Sequence, residues 1–433
     1  MKESNKRKSK KNKSIKRRNK IKKNHLGVLS NYAGGSIVFG GNKDKLNKIF
    51  NPNNGEKLKY LISFEKIGNV SRNGFLYMLH FKKDDYHVSR ILKSSSNRNA
   101  DNLFYEYFVG IHFINKLSRY LPCFVETYHL YRNTNEDNYH IMKDYEGSLI
   151  KEQFMSSLEI INNPDVDIYC TNPQYLSILI ETVTSTLSFH DYINHYLEES
   201  EYDSESIVVK TFDLVYLEIM YQVYGPLSLL NDHFTHYDLH ANNILLEYLG
   251  GKMMKMRYVY PDTIIEFNTQ YIVKIIDYGR SFFKSLPNEI NKNSSENFYY
   301  EYIHKHQRPC LNSGLNFLLN PKVKNFIQPM YRNYSHDLRL AKCTLDMIRN
   351  KSLMLTRFSK FLYYEGQFGT PEKGSNRTNV CNVMDYESLL RSEMRSSTYI
   401  RNSQLYSQSY EIIGTLTIYM DHSGKPIEYV EGS

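Results

Sequence analysis

The sequence contains few cysteines, no tryptophan and almost no alanine. Its 433 residues include five cysteines, an odd number, and none of them forms a CxxC pair. This scarcity argues against a disulfide framework and a cysteine zinc site, and it predicts a reducing compartment. Only four alanines are present, a bias that is typical of A/T-rich codons and indicates nothing about the chemistry of the protein. The cysteines are Cys123, Cys170, Cys310, Cys343 and Cys381.

A long uninterrupted apolar run is also missing. The longest apolar stretch, Phe212 to Leu230, is broken by Asp213, Glu218 and Pro226. No apolar segment follows the basic N-terminal residues, so the sequence predicts neither a signal peptide nor a membrane span. We therefore expect an intracellular protein that is not secreted.

Acidic residues are nearly absent from the N-terminus. Residues 1–24 hold 13 Lys and Arg but one acid, Glu3, whereas the other 409 residues hold 42 basic and 45 acidic residues. Like charges at this density predict a solvated, disordered tail over residues 1–26, followed by an irregular connector over 27–56. The tail is either a solubilising arm or a segment, residues 2–23, that binds nucleic acid or another polyanion by releasing counterions.

The rest of the chain, with 41% hydrophobic and 14% aromatic residues overall, has enough apolar surface to fold. From residue 57 to 143, short apolar runs between polar turns predict strands, and the turn NTNED predicts a hairpin between the last two. Apolar residues three and four apart predict a single helix over Asp101–Leu117. This part should be a small sheet with one helix. The predicted strands are Leu58–Ile67, Phe75–Phe81, His87–Leu92, Phe124–Tyr131 and Tyr139–Met142.

Residues 144–433 show mainly helical periodicity, with a few strand-like segments and a predicted hairpin, Tyr410–Tyr419 with Pro426–Val430, at the C-terminal end. Together the two parts predict an α+β fold. The predicted helices are Pro173–Leu197, Thr211–Leu230 and Ser335–Asn350. The strand-like segments are Ile244–Tyr248, Thr263–Phe267 and Tyr271–Ile276.

Two polar motifs stand out against these apolar flanks. The first is FTHYDLHANNILL, residues 234–246, and the second is YIVKIIDYG, residues 271–279. A loop between a helix and a short strand can aim Asp238 at an acceptor hydroxyl and Asn243 at a metal. Asp277, at the end of an apolar strand, can then chelate Mg²⁺ on the phosphates of a nucleotide. Alternatively, Asp238 and Asn243 lie in an ordinary polar turn and Asp277 caps a strand.

These motifs resemble the paired catalytic and metal-binding motifs of the protein-kinase-like superfamily. His236, Asp238, Leu239 and Asn243 fit H-x-D-L-x-x-x-N, and Asp277-Tyr-Gly fits D-F-G with Tyr in place of Phe. The resemblance covers roughly residues 58–350 and implies a bilobal kinase-like fold, with a small β-rich N-lobe containing one helix and a larger, mainly helical C-lobe. It also implies ATP and Mg²⁺ as cofactors.

The resemblance also implies nucleotide-binding roles for residues in the first part of the chain. The phosphate-binding lysine should lie on a strand before the helix, where Lys93 is the only good candidate, and its acidic partner on the helix should be Glu106. Otherwise Lys93 is a solvated strand end and Glu106 a residue on the helix surface. The phosphate-covering loop should include Gly68, Ser71 and Gly74, although a plain hairpin turn explains these residues almost as well.

The sequence departs from the family pattern in ways that affect mechanism and substrate. Tyr237 replaces the arginine of many members, so regulation through an activation-loop phosphate is not expected. His240 replaces the lysine common in protein kinases, as in aminoglycoside and choline kinase-like enzymes, and no A-P-E motif follows Asp277 at the usual distance. Asp337 resembles the buried acid that braces the catalytic loop, or else it is a simple helix N-terminal aspartate.

Within the superfamily, the phrases FYEYFVG, HYDLHANNILL and KIIDYGRSFF look most like divergent serine/threonine protein kinases of giant, mimivirus-like DNA viruses. That resemblance implies a location in the host cytoplasm, nucleus or virion. It makes Ser or Thr of a protein the leading phosphate acceptor. Two rivals stay open: a small-molecule phosphotransferase, and a pseudokinase that serves as a binding scaffold.

Overall fold

The computed structural model describes residues 57–284, 332–362 and 380–432. Short gaps fall at 69, 71–73, 85, 96–102, 145–148, 163, 166–167, 170–173, 184–185, 203–206 and 422–423. The predicted tail, the predicted connector and Ser71 lie outside the described residues.

A six-stranded antiparallel sheet dominates the first part of the chain, in the order β1-β2-β3-β6-β4-β5. Its strands form because apolar side chains alternate along them. In β2, Phe75, Tyr77, Leu79 and Phe81 are all buried, and they contribute to a core on one face of the sheet. The strands are β1 (Leu61–Ile67), β2 (Gly74–Lys83), β3 (Tyr86–Ser95), β4 (Thr127–Asn133), β5 (Leu158–Ile161) and β6 (Leu176–Glu181).

Helix α1 (Leu103–Val109) is followed without a break by a π-helical turn (Gly110–Ile114) and a last α-helical turn (Asn115–Leu117). The helix predicted over Asp101–Leu117 is therefore confirmed over its described residues. Its apolar side chains belong to a second, larger core, which continues into the helical part of the molecule. Helix α1 thus joins the first sheet to the rest of the fold.

The predicted strand Tyr139–Met142 and its hairpin are wrong, because these residues form helix α2 (Glu136–Asp144). The polar sequence NTNED is a helix start rather than a β-turn: the Asn135 side chain accepts a hydrogen bond from the Asn138 N–H at 2.9 Å. Strand β4 pairs instead with β5 and β6, which follow residue 143. The predicted division at 143/144 therefore falls within the first sheet.

The helix predicted over Pro173–Leu197 is also wrong in its first half. Residues 176–181 form β6, which lies between β3 and β4 in the middle of the sheet. Because Leu176, Ser177, Ile178 and Leu179 are all buried, the strand shows no alternation of buried and exposed residues that would distinguish it from a helix. The helical half of the prediction is confirmed by α4 (Phe189–Tyr202).

Five α-helices follow α4 in the described chain, and the first of them, α5 (Ile207–Leu229), is long and largely buried. This helix confirms the one predicted over Thr211–Leu230, and α6 confirms the one predicted over Ser335–Asn350. The remaining helices are α3 (Lys151–Ser157), α6 (Arg339–Met347), α7 (Leu353–Phe361), α8 (Val383–Met394) and α9 (Ser397–Ser407).

Three smaller sheets accompany these helices, in the orders β12-β9-β7, β11-β10-β14-β15 and β13-β8. The predicted C-terminal hairpin is confirmed by the antiparallel pairing of β14 with β15, and β14 also runs parallel to β10. The strands are β7 (Thr186–Ser188), β8 (Phe234–Thr235), β9 (Ile244–Tyr248), β10 (Met253–Val259), β11 (Ile264–Thr269), β12 (Tyr271–Ile275), β13 (Phe282–Phe283), β14 (Ile412–Tyr419) and β15 (Glu428–Glu431).

The fold is therefore mixed α+β, as the sequence predicts. None of the helices in the described part of the chain is long and apolar enough to cross a membrane. Three of the cysteines, Cys123, Cys343 and Cys381, lie among the described residues, and all three are free thiols.

A carboxyl side chain lies deep in the helical core. Glu218, on α5, is fully buried, and its Oε1 accepts a hydrogen bond from the hydroxyl of Tyr399 on α9 at 3.3 Å. Burial raises the pKa of Glu218 to about 8, because the ionised carboxylate loses its hydration. Glu218 is therefore protonated in the folded protein at neutral pH.

We predict that stability falls as the pH rises through the interval from about 5 to 8. Unfolded Glu218 loses its proton near pH 4.5 while the folded form keeps it until about pH 8. The free energy of unfolding should therefore decrease by up to about 1.4 kcal/mol per pH unit over that interval. Urea unfolding at several pH values should show this slope, and Glu218→Gln should remove the part that Glu218 contributes, so the slope of the variant should be shallower than that of the wild type. Exposed Glu198→Gln is the control, and parallel curves for wild type and Glu218→Gln would contradict the assignment.

Candidate active site

The centre of the site is Lys93, which contacts two carboxylates from distant parts of the chain. Lys93 lies on β3, between β2 and β6 of the first sheet. Its Nζ is 2.6 Å from Oε2 of Glu106 on α1 and 3.2 Å from Oδ1 of Asp277, which follows β12. The predicted pairing of Lys93 with Glu106 is present in the structure, and Asp277 joins it.

These contacts determine the protonation states of Lys93 and Asp277. Burial alone would lower the pKa of Lys93, but the carboxylates of Asp277 and Glu106 outweigh it and raise that pKa well above its usual value. Burial likewise acts to raise the pKa of Asp277, and the ammonium of Lys93 overcomes this and lowers it. At neutral pH the site therefore holds an ammonium and an ionised Asp277.

The backbone around Asp277 is held in an unusual conformation. Asp277 has a φ of 69°, in the left-handed region that few residues other than glycine adopt. Just before it, the N–H of Ile276 donates to the carbonyl of Asn243 at 3.1 Å. Just after it, the hydroxyl of Tyr278 accepts a hydrogen bond from the N–H of Val125 at 2.9 Å. The turn thus carries Asp277 toward Lys93 at a cost in backbone strain.

Hydrogen bonds of His236 connect the segment that carries Asp238 to the turn around Asp277. The Nε2 of His236 lies 3.0 Å from the carbonyl of Ile276, and its Nδ1 accepts from the N–H of Asp238 at 3.3 Å. Nε2 must therefore carry the proton, and the ring is neutral. Burial lowers the pKa of His236, which favours that neutral state.

Asp337 binds the backbone of the segment that carries Asp238. Its Oδ2 accepts from the N–H of His236 at 2.7 Å, and its Oδ1 accepts from the N–H of Tyr237 at 3.0 Å. Tyr237 itself is buried and has a φ of 63°. Burial raises the pKa of Asp337 to about 7, although the two N–H donors act in the opposite direction. The sequence leaves two roles for Asp337: a buried acid that braces the loop carrying Asp238, or a simple helix N-terminal aspartate. These contacts fit the first role.

Asp238 lies beside two arginines and a histidine. Its Oδ2 lies 3.2 Å from Nη1 of Arg280, and its Oδ1 lies 3.4 Å from Nη1 of Arg339 and 4.0 Å from Nε2 of His240. Burial lowers the pKa of His240. The sequence reasoning missed both arginines, although Arg280 directly follows the DYG motif and Arg339 stands two residues after Asp337.

Asn243 and Asp277 are the two residues that the sequence predicts as magnesium ligands. The Nδ2 of Asn243 donates to the carbonyl of Asp238 at 2.9 Å, so the amide oxygen faces away from that carbonyl. No group of three or more His, Cys, Asp and Glu side chains among the described residues could hold a metal alone. A two-oxygen set nevertheless suits Mg²⁺, which takes its other ligands from substrate phosphates and water.

The glycines of the β1–β2 connection have local structural roles. Gly68 has a φ of 63°, which glycine adopts at no steric cost. At Gly74, the first residue of β2, a Cβ atom would lie 2.3 Å from the carbonyl oxygen of Ser94 on β3. The turn and the close strand pairing account for both glycines, and their contact with a nucleotide stays a prediction.

No family model matches the chain, and a search of curated proteins finds no match either. Function must therefore be argued from the site itself.

We predict that Asp337→Ala destabilises both the protein and the loop. The substitution leaves two buried N–H groups, those of His236 and Tyr237, without an acceptor, which should cost about 2 to 4 kcal/mol of unfolding free energy. Urea unfolding measures the total, and hydrogen exchange at residues 236 and 237 measures the local effect. Asp346→Ala is the matched control, since Asp346 pairs with Lys342 on the exposed side of α6. An equal, small effect of both substitutions would show that Asp337 is no brace.

Proposed function

We propose that the protein has a bilobal protein-kinase-like fold. The first sheet with α1 would be the small lobe, and the mainly helical part from α4 onward the large lobe. Support comes from the order of the elements: Lys93 lies on the third strand of the sheet, Glu106 on the helix that follows, and Asp238 and Asp277 on later loops. The motifs and the helix keep the chain order that the sequence resemblance requires.

We further propose that this site transfers the γ-phosphate of ATP to the hydroxyl of a Ser or Thr in a protein, with Mg²⁺. The observation that carries the proposal is the contact of Lys93 with both Glu106 and Asp277, since Lys93 and Asp277 are 184 residues apart in the chain. Phosphoryl transfer needs positioned charges more than covalent chemistry. A cation held between two carboxylates is a positioned charge.

Each residue then has a proposed role. Lys93, oriented by Glu106, would donate hydrogen bonds to phosphate oxygens of the nucleotide. Asp277 and Asn243 would hold Mg²⁺, which, when bound with ATP, offsets the charge of the phosphates. Asp238 would accept the proton of the attacking hydroxyl. Gly68, Ser71 and Gly74 would cover the nucleotide.

Two alternative functions remain: a phosphotransferase with a small-molecule acceptor, and an inactive pseudokinase that serves as a binding scaffold. His240, 4.0 Å from Asp238, favours a small-molecule phosphotransferase, because aminoglycoside and choline kinase-like enzymes carry histidine at this position. A pseudokinase scaffold would need none of the pairings of Lys93, and their retention argues against it. Labelled ATP with Mg²⁺, offered separately with protein acceptors and with aminoglycosides or choline, separates the three functions.

We expect Asp238→Asn to abolish transfer while nucleotide binding is largely kept. The amide keeps the size of the side chain but cannot accept the hydroxyl proton, so kcat should fall by about 10²- to 10⁴-fold. Steady-state kinetics and a nucleotide-binding titration measure the two effects. Asp232→Asn, at an exposed aspartate paired with Arg332, is the control. A wild-type kcat in Asp238→Asn would remove Asp238 from the mechanism.

We expect Asp277→Ala to remove the magnesium dependence of nucleotide binding. Wild-type protein should melt at a higher temperature with ATP and Mg²⁺ than with ATP and EDTA, because a ligand that binds only the folded state stabilises it. The substitution should abolish the difference between these two conditions. Asp262→Ala, in an exposed turn, should retain it. The same difference in Asp277→Ala as in wild type would place the metal on other residues.

A further inference from the structure

The hydroxyl of Tyr278, the residue directly after Asp277, makes two hydrogen bonds to backbone groups. Tyr278 is buried, with 2% of its surface exposed. Its hydroxyl accepts a hydrogen bond from the N–H of Val125 at 2.9 Å and donates one to the carbonyl of Ile275 at 2.5 Å. One oxygen atom therefore bridges two segments that are distant in the chain. We call this pair of hydrogen bonds the hydroxyl bridge.

The two bridged segments run side by side. Phe124 lies opposite Ile275 in a parallel β-bridge, and the N–H of Ile275 donates to the carbonyl of Cys123 at 2.6 Å. Residues 123–125 precede β4 of the first sheet, and Lys93 lies on β3 of the same sheet. Ile275, in contrast, is the last residue of β12. The hydroxyl bridge thus links the end of β12 to the sheet that carries Lys93.

The hydroxyl bridge also spans a strained residue. Asp277 has a φ of 69°, which is costly for any residue other than glycine and persists only where the surrounding structure imposes it. The side chain of Tyr278 reaches back past Asp277 to the carbonyl of Ile275. The backbone is therefore held on both sides of the strained position. This closure is one of the contacts that can impose the left-handed conformation.

Packing of the aromatic ring does not by itself explain the hydroxyl. The ring centroid of Tyr278 lies 6.3 Å from that of Phe124 and 5.9 Å from that of His236. A phenylalanine ring would keep both of these contacts. The D-F-G motif that the sequence resembles has phenylalanine at this position and so lacks the oxygen. The hydroxyl adds a directed link across the turn, because hydrogen bonds depend on geometry more strongly than ring packing does.

On the basis of the proposed function, we propose that Tyr278 is a positioning residue for the magnesium site. Its hydroxyl bridge fixes the turn in the conformation that brings Oδ1 of Asp277 to 3.2 Å from Nζ of Lys93. Tyr278 acts through Asp277 and is not itself a ligand of the metal. Without the hydroxyl bridge the strained turn relaxes, and part of the binding free energy of Mg²⁺ is then spent on restoring it.

The test is Tyr278→Phe, which removes one oxygen atom and keeps the ring. Isothermal titration calorimetry gives the dissociation constant of ATP in EDTA and in Mg²⁺, and the ratio of the two is the magnesium gain of each protein. In Tyr278→Phe the magnesium gain should be about tenfold smaller than in the wild type, as the loss of a buried hydrogen bond would give. Because the gain is a ratio measured within each protein, the fraction of active protein does not affect it.

Tyr216→Phe is the matched control. Tyr216 is also buried, and its hydroxyl lies 2.9 Å from Oγ1 of Thr344, in a contact between α5 and α6. Urea unfolding should show a loss of stability in both variants, because each loses a buried hydrogen bond. Only Tyr278→Phe should lose magnesium gain. A merely structural role of the Tyr278 hydroxyl would lower stability in the same way and leave the gain unchanged.

Hydrogen exchange tests the hydroxyl bridge in the protein without nucleotide or metal. The amide of Val125 should exchange about tenfold faster in Tyr278→Phe, because it loses its acceptor. The amide of Ile276, which donates to the carbonyl of Asn243 at 3.1 Å, should also exchange faster as the turn relaxes. In Tyr216→Phe neither amide should change.

The outcomes separate this inference from the function on which it rests. An equal magnesium gain in Tyr278→Phe and wild type would overturn the positioning role and leave the proposed function intact. Unchanged exchange at Ile276 would overturn it too, since the turn would then hold its conformation without the hydroxyl. Absence of any magnesium gain in the wild type would instead overturn the magnesium site itself, and the inference with it.

Discussion

The charge of Lys93 is the constraint on which the site depends. An ammonium in a largely buried position is costly unless carboxylates stand beside it, and here Glu106 and Asp277 do so at 2.6 and 3.2 Å. Each partner is fixed by a different element, Glu106 by α1 and Asp277 by the strained turn after β12. The first sheet, α1 and the β9–β12 layer must therefore meet at one point. If Lys93 were removed, two partly buried carboxylates would be left without the cation between them, so the pairing holds these elements together.

A second buried carboxylate organises the segment around Asp238 in the same way. Asp337 binds the N–H groups of His236 and Tyr237, and His236 in turn contacts the backbone at Ile276 and Asp238. The segment before Asp238 and the turn before Asp277 are thereby connected through one imidazole. Because Asp337 lies at the start of the helical segment that continues into α6, the same contacts also set the position of Arg339. The two ends of the site are thus positioned by separate acids, each bound to more than one element.

Sequence reasoning predicts local features of this molecule well and long-range ones poorly. Strands β1 to β3, helices α1 and α5 and the C-terminal hairpin follow from periodicity, and the pairing of Lys93 with Glu106 follows from the motif resemblance. Two of the predicted segments are wrong for physical reasons: a helix cap at Asn135 resembles a β-turn, and the central strand β6 is buried too uniformly to alternate. Arg339 could not be found in this way, since it contacts Asp238 across 101 residues and lies outside both motifs.

The charged side chains of the site pair across elements that are distant in the chain. Lys93 on β3 contacts Glu106 on α1 and Asp277 after β12. Asp238 contacts Arg280, in the turn after Asp277, and Arg339, at the start of α6. The turn that begins at Asp277 thus contributes a carboxylate to the first set of contacts and a guanidinium to the second. Because the two charges are three residues apart on one turn, a shift of that turn would disturb both sets at once, so its strained backbone constrains the whole site.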